Sequence, residues 1–119
     1  LKILVLGMNP SILGVNSPSI KNLYKWLGVL DLKIVSFSNI YSEFGQFNND
    51  KVERNYLSEV CPNYNKILAL GTKVGDVLDL MHISHFKLPH PSGRNRQLND
   101  SKFIESKLKE CKSYVGGNV

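Results

Sequence analysis

The chain has 119 residues, enough for one hydrophobic core of ordinary domain size and too few for two. With 42% apolar and 21% charged residues the composition matches an average globular protein and excludes a disordered or fibrous chain. Fifteen Lys and Arg against ten Asp and Glu leave a net charge of +5, a basic excess of the kind that attracts polyanions. One domain over residues 1–119 is therefore expected. The opening "LKILVLG" is too short an apolar run for a membrane span and has no small-residue cleavage site, so neither a span nor a signal peptide is expected, and the default location is cytoplasmic. Cys61 and Cys111 form no C-x-x-C pair, which predicts reduced structural thiols rather than zinc or iron–sulfur ligation.

In chain order, "KILVL" before Gly7 reads as a strand buried on both faces. "SPSIKNLYKWLGVL" reads as an amphipathic helix, with Ser17 as cap, Pro18 in the first turn, and Ile20, Leu23, Tyr24 and Leu27 at helical spacing. "LKIVSF" is a second strand, and "NDKVERNYLSEVC" a second helix with Val52, Tyr56, Leu57 and Val60 inward. "KILAL" before Gly71 is a third strand and "TKVGDVLDLM" a third helix. "HFKLP" is a short fourth strand, and "SKFIESKLKECKSYV" a last helix with Phe103, Ile104, Leu108 and Cys111 on one side.

This alternation predicts an α/β fold, a three-layer αβα sandwich around a mostly parallel four-stranded sheet, because parallel strands need helical crossovers. Ligands in such sheets bind beyond the carboxyl ends of the strands. The unusual residues follow the predicted strand ends: "GMNPS", "SNIYS", "GTK" and "HPSGRN". One edge of the sheet collects them all.

In "GMNPSILG", Gly7 permits a sharp exit, Pro10 fixes the next bend, and Asn9 between them can aim its amide at whatever occupies the edge. The same residues also serve as an ordinary strand-to-helix turn. A Walker loop is excluded, since the Gly-Lys-Ser/Thr ending is missing and "GTK" at 71–73 lacks the upstream glycine. In "HPSGRN", His90 can donate to developing negative charge, Ser92 and backbone amides can hold a phosphate, and Arg94 can flank a nucleic-acid stack. A solvated basic loop is the plainer alternative for this segment.

Taken together, "GMNPSILG" and "HPSGRNRQLN" resemble the two motifs of the uracil-DNA glycosylase superfamily, in the family's order and at opposite ends of the chain. They are most similar to the single-strand-selective monofunctional branch, and the first also to the mismatch-specific branch. Asn39 in "VSFSNIYS" stands where the family reads the flipped base with an asparagine. One carboxamide can donate to uracil O4 and accept from N3–H, whereas cytosine presents the opposite pattern. A turn or helix-cap role is the alternative for Asn39.

The resemblance implies hydrolysis of the bond between a pyrimidine and deoxyribose, on uracil or a 5-substituted uracil in DNA, after the nucleotide is turned out of the stack. Asn9 would position the attacking water, and His90 would stabilise the anionic O2 of the departing base. Asn39 would recognise the base, with Met8 and Ile12 as pocket walls or amide donors. Ser11, Ser17 and Ser92 would contact phosphates, Gly93 and Arg94 would fill or prop the gap, and Asn95 and Arg96 would extend the DNA contact. The expected enzyme is monomeric, needs no cofactor and holds no metal; its partner is DNA and not a membrane. Asn9 is no carboxylate and hence no general base, so turnover slower than in the Asp-bearing branch is expected.

The chain departs from the family at Ser11, where a glycine usually follows Asn-Pro, and at Gly93, where a proline is usual. The stacking aromatic falls on Lys21 or Asn22, and the nearest rings are Tyr24 and Trp26. Tyr24 is open between stacking on the base and packing in the core, while Trp26 and Phe103 read as core. His82 and His85 lack a third metal ligand at suitable spacing. Lys102, Lys107, Lys109 and Lys112 read as a solvated face that adds nonspecific phosphate attraction. A different class of function, a noncatalytic module using the same pocket for DNA, a nucleotide or a protein, is the alternative.

Overall fold

The structure, a computed structural model, describes residues 2–8, 18–30, 32, 35–40, 52–91 and 99–116. Four strands and four helices alternate: β1 (Ile3–Gly7), α1 (Pro18–Val29), β2 (Ser36–Asn39), α2 (Arg54–Val60), β3 (Lys66–Leu70), α3 (Thr72–Leu80), β4 (Phe86–Leu88) and α4 (Ser101–Gly116), with a short 3-10 turn, Cys61–Asn63, after α2. The sheet is all parallel in the order β2-β1-β3-β4.

This order dictates the layers. The chain steps from β1 to β2 in one direction and then from β2 to β3 and on to β4 in the other, so right-handed crossovers must place α1 on one face and α2 and α3 on the opposite face. The two cores follow this division. Ile3, Val5, Leu68, Leu70 and Leu88 pack with Leu23, Trp26 and Leu27 of α1 and Leu108, Cys111 and Val115 of α4. Leu4, Leu6, Ile67 and Ala69 pack with Leu57 of α2 and Val74, Val77 and Leu78 of α3. The strict alternation along β1 and β3 explains why both read as continuous apolar runs: each is buried on both faces. The expected three-layer αβα sandwich is present.

Element ends have local causes. Asp100 Oδ1 accepts from the Phe103 N–H at 3.1 Å and caps α4. At the end of α1 the Leu32 N–H reaches back to Leu27 O at 2.9 Å, and at the end of α3 the Ile83 N–H reaches Leu78 O at 2.9 Å past His82, whose φ is 57°.

Four expectations are corrected. The second strand is the polar Ser36–Asn39, and of the earlier residues of "LKIVSF" Leu32 and Val35 stand outside it, packed against the α1–α4 core, while Lys33 and Ile34 lie outside the described residues. Tyr56 is not inward but 40% exposed; α2 buries Leu57, the 3-10 turn buries Cys61, and the Tyr56 hydroxyl hydrogen-bonds Ser38 Oγ at 2.8 Å. Tyr24 is not core, being 56% exposed. Phe103 is only half-buried and lines a cavity at the sheet edge, unlike Trp26, which is in the core. Ser17 lies outside the described residues.

Both cysteines are buried and free. Burial raises the Cys61 thiol and pushes that of Cys111 up to about 12, so neither is a nucleophile near neutral pH. Among the described residues, no helix is long and apolar enough to cross a membrane.

Candidate functional site at the carboxyl edge of the sheet

The strand order reverses between β1 and β3, which makes the gap between their carboxyl ends the topological switch point. Both inner strands end in glycine there. Gly7 closes β1, and Gly71 follows β3 as the first residue before α3. At or just past the end of each outer strand, a polar side chain lies against the glycine of its inner neighbour.

On the β2 side, Asn39 pairs in register with Gly7. A Cβ at position 7 would stand 2.8 Å from Asn39 Oδ1, so the amide occupies the space a side chain would take. The carbonyl of Gly7 accepts from the Ile40 N–H at 2.9 Å, which locks the two strand ends together. On the β4 side, a Cβ at Gly71 would meet His90 Cδ2 at 3.1 Å and Cβ at 3.2 Å. Gly71 has φ 91° and ψ 166°, a conformation reserved almost wholly for glycine, and its N–H donates to Leu88 O at 2.8 Å. The "GTK" turn thus needs glycine twice, for its backbone and for the imidazole.

Asn39 ends β2 and His90 lies two residues past β4, outer strands three spacings apart, about 14 Å across the sheet, and both lean on the glycines between. Burial lowers the pKa of His90 from its ordinary 6.5, which keeps the imidazole neutral near pH 7 with one ring N–H as donor. The loop that carries His90 is pinned from the far side of the switch point: Asn22 Nδ2 of α1 donates to the carbonyl of the buried Pro91 at 2.9 Å. Helices α1, α3 and α4 all begin at this edge, so their positive dipole ends face it.

A cavity of about 330 Å³ opens beside His90 and is lined by Gly71, Thr72, Pro89, His90, Phe103 and Lys107, among others. It lies toward β4 and α4. Lys107, paired with Glu110 at 3.3 Å, stands over the Phe103 ring at 5.9 Å and brings a cation to its rim.

Of the residues expected at the site, the structure therefore brings Asn39 and His90 to one edge. Met8 follows β1 there, with its side chain packed against the α2–α3 core, on the opposite face from Asn39. Tyr24 stands on α1 with its ring edge-on to Phe37. Asn9, Ser11, Ile12, Ser17, Ser92, Gly93, Arg94, Asn95 and Arg96 lie outside the described residues. Three contributors were missed in the sequence: Gly71 as the floor under His90, Asn22 as the tie to Pro91, and Phe37. A glycine directly between a strand and a helix signalled the first; nothing local signals the other two.

His85 Nδ1 is 2.7 Å from Ile83 O and its Nε2 is 3.6 Å from Asp79 Oδ1, and among the described residues no three His, Cys, Asp or Glu side chains gather as ligands. Comparison of the chain with protein-family models, curated proteins and solved structures returns no match.

Proposed function

We infer that the chain is a monofunctional DNA glycosylase that hydrolyses the N-glycosidic bond of uracil or a 5-substituted uracil in DNA, acting as a cytoplasmic monomer without a cofactor. The observation that supports this reading is the placement of Asn39 and His90 against the two glycines of the switch point, the first at the end of β2 and the second just past β4. An amide able to read an imide edge and a neutral imidazole able to donate to an oxyanion are the two groups that base release requires.

Under this reading the base is turned out of the stack and enters between the two side chains. The bond from sugar C1′ to base N1 breaks, and its electron pair leaves on the base, where His90 donates to the anionic O2. A water oxygen bonds to C1′ and its proton ends on the released base. Asn9 positions that water, and the serines and arginines of the two loops hold the phosphates, as the resemblance of the motifs implies. With an amide in place of a carboxylate, electrostatic stabilisation carries most of the rate.

The test uses single- and double-stranded oligonucleotides carrying one uracil, followed by alkali to cut abasic sites. Wild type should cut, and His90→Ala should lose about 10²–10³-fold in rate, the usual effect of removing one oxyanion donor. Asn9→Ala should lose comparably. DNA binding with no abasic product from uracil, 5-hydroxymethyluracil or a uracil mismatch would sink the enzyme and leave a noncatalytic binding module.

A further inference from the structure

Five large apolar side chains among the described residues are exposed, and three of them surround β2: Tyr24, Phe37 and Tyr56. Tyr24 and Phe37, 56% and 48% exposed, meet on the α1 face with ring centroids 6.1 Å apart and planes at 65°. That angle makes a corner rather than a stack, so each ring keeps at least one face its neighbour does not cover. Phe37 lies two residues before Asn39 and on the same face of the strand, because side chains alternate and Phe37 pairs with Val5 as Asn39 pairs with Gly7. The offset along the strand is about 6.6 Å, or two of the ~3.4 Å steps of a nucleic-acid strand. Lys21 sits one helical turn before Tyr24 and is exposed, whereas Lys25 lines the groove between α1 and α4 together with Glu105; neither α1 nor β2 contains an acidic residue.

Exposed rings with a clear face, a cation one helical turn away and no carboxylate on their own elements are components with which proteins hold single strands without reading sequence. We propose that Tyr24 and Phe37 form a stacking platform for unpaired bases of single-stranded DNA, leading the strand toward Asn39. The platform rests on the glycosylase reading only for where the strand leads; its binding role stands on the rings and Lys21.

The probe is a short fluorescent oligothymidylate, which contains no uracil, followed by anisotropy. Tyr24→Leu and Phe37→Leu keep apolar bulk and remove the ring, and each should weaken binding about tenfold or more. Tyr24→Phe and Phe37→Trp should bind as wild type does, and thermal melting checks that all four fold. Replacing Lys21 by Ala should lower the slope of log affinity against log salt by about 0.7, and replacing Lys25 should not. Leucine variants that bind like wild type overturn the platform, as does wild type that fails to bind; a dimer that the leucine variants dissolve would make the rings a self-association surface and also overturn it. Ring-dependent binding without uracil release defeats the glycosylase reading alone. Uracil release with ring-independent binding defeats the platform alone.

Discussion

The two outer strands do the same task in unlike ways. Asn39 at the end of β2 and His90, two residues past β4, each lie against a glycine at the carboxyl end of an inner strand. Around β4 the side chains are tied to neighbours: Phe86 packs on Tyr114 of α4 at 5.7 Å, Lys87 Nζ donates to Asp79 Oδ2 at 2.6 Å and stands 3.8 Å from Asp76 Oδ1, and Gly71 has a backbone only glycine adopts freely. Around β2 the structure is open, with exposed rings, and Gly7 is outside the left-handed region. Asn39 and His90 are both half-buried, so the difference lies in their surroundings: exposed rings beside one, packed and paired side chains beside the other. In the proposed chemistry the side chain in the tied surroundings faces developing charge, where small displacements cost most, and the one beside the exposed rings reads the base.

The largest expected effect tests the β4 side. Gly71→Ala forces a side chain into φ 91° and onto the His90 ring, and should cost about 1–3 kcal/mol from the backbone alone. Urea unfolding measures it, and a neutral substitution would refute the fixed position of His90. Gly7→Ala should change stability by less than about 1 kcal/mol, because the reduced freedom of the unfolded chain offsets the displaced amide. Its effect should appear instead as poorer discrimination of uracil from cytosine, measured on paired oligonucleotides.

A third expectation concerns pH. The pKa of His90 is lower folded than unfolded, so below about 6.5 the unfolded chain binds more protons and stability falls as pH decreases; above that value this contribution is level. Denaturation at a series of pH values should show the slope, and His90→Gln should remove the part that His90 contributes. The smallest effect belongs to the exposed flank of β4. Hydrogen bonding from Lys87 holds Asp79 below its ordinary 3.8, so the pair stabilises above that range and fades as pH falls through the depressed value. Asp79→Asn should be barely measurable and should vanish in high salt; a large loss would show the pair to be structural.

Much of this was legible in the residues. "KILAL" coincides with β3 because a strand buried on both faces has nothing but apolar residues to show. β2 was misplaced for the converse reason: an edge strand of Ser36, Phe37, Ser38 and Asn39 buries little, while the apolar Leu32 and Val35 before it pack without belonging to the sheet. Tyr56 fits a helical stripe by spacing, yet α2 starts only at Arg54, and its hydroxyl finds a partner on β2. At the candidate site, Asn39 and His90 stood out by following strand ends. The bond from Asn22 to Pro91 could not be seen, because it joins residues 69 positions apart through an ordinary helix residue.

The central position of β1 has a consequence for folding. β1 lies between β2 and β3, so one of its hydrogen-bonding edges waits for Lys66–Leu70, later in the chain, before it is covered. Parallel pairing across such separations is slow, and the waiting edge is open to wrong partners. The edge residues Gly7, Asn22, Asn39, Gly71 and His90 come together only when every strand is in place. Assembly of this edge therefore reports completion of the sheet, and a chain that has lost β4 should keep helix signal while losing the Gly71–His90 half of the edge.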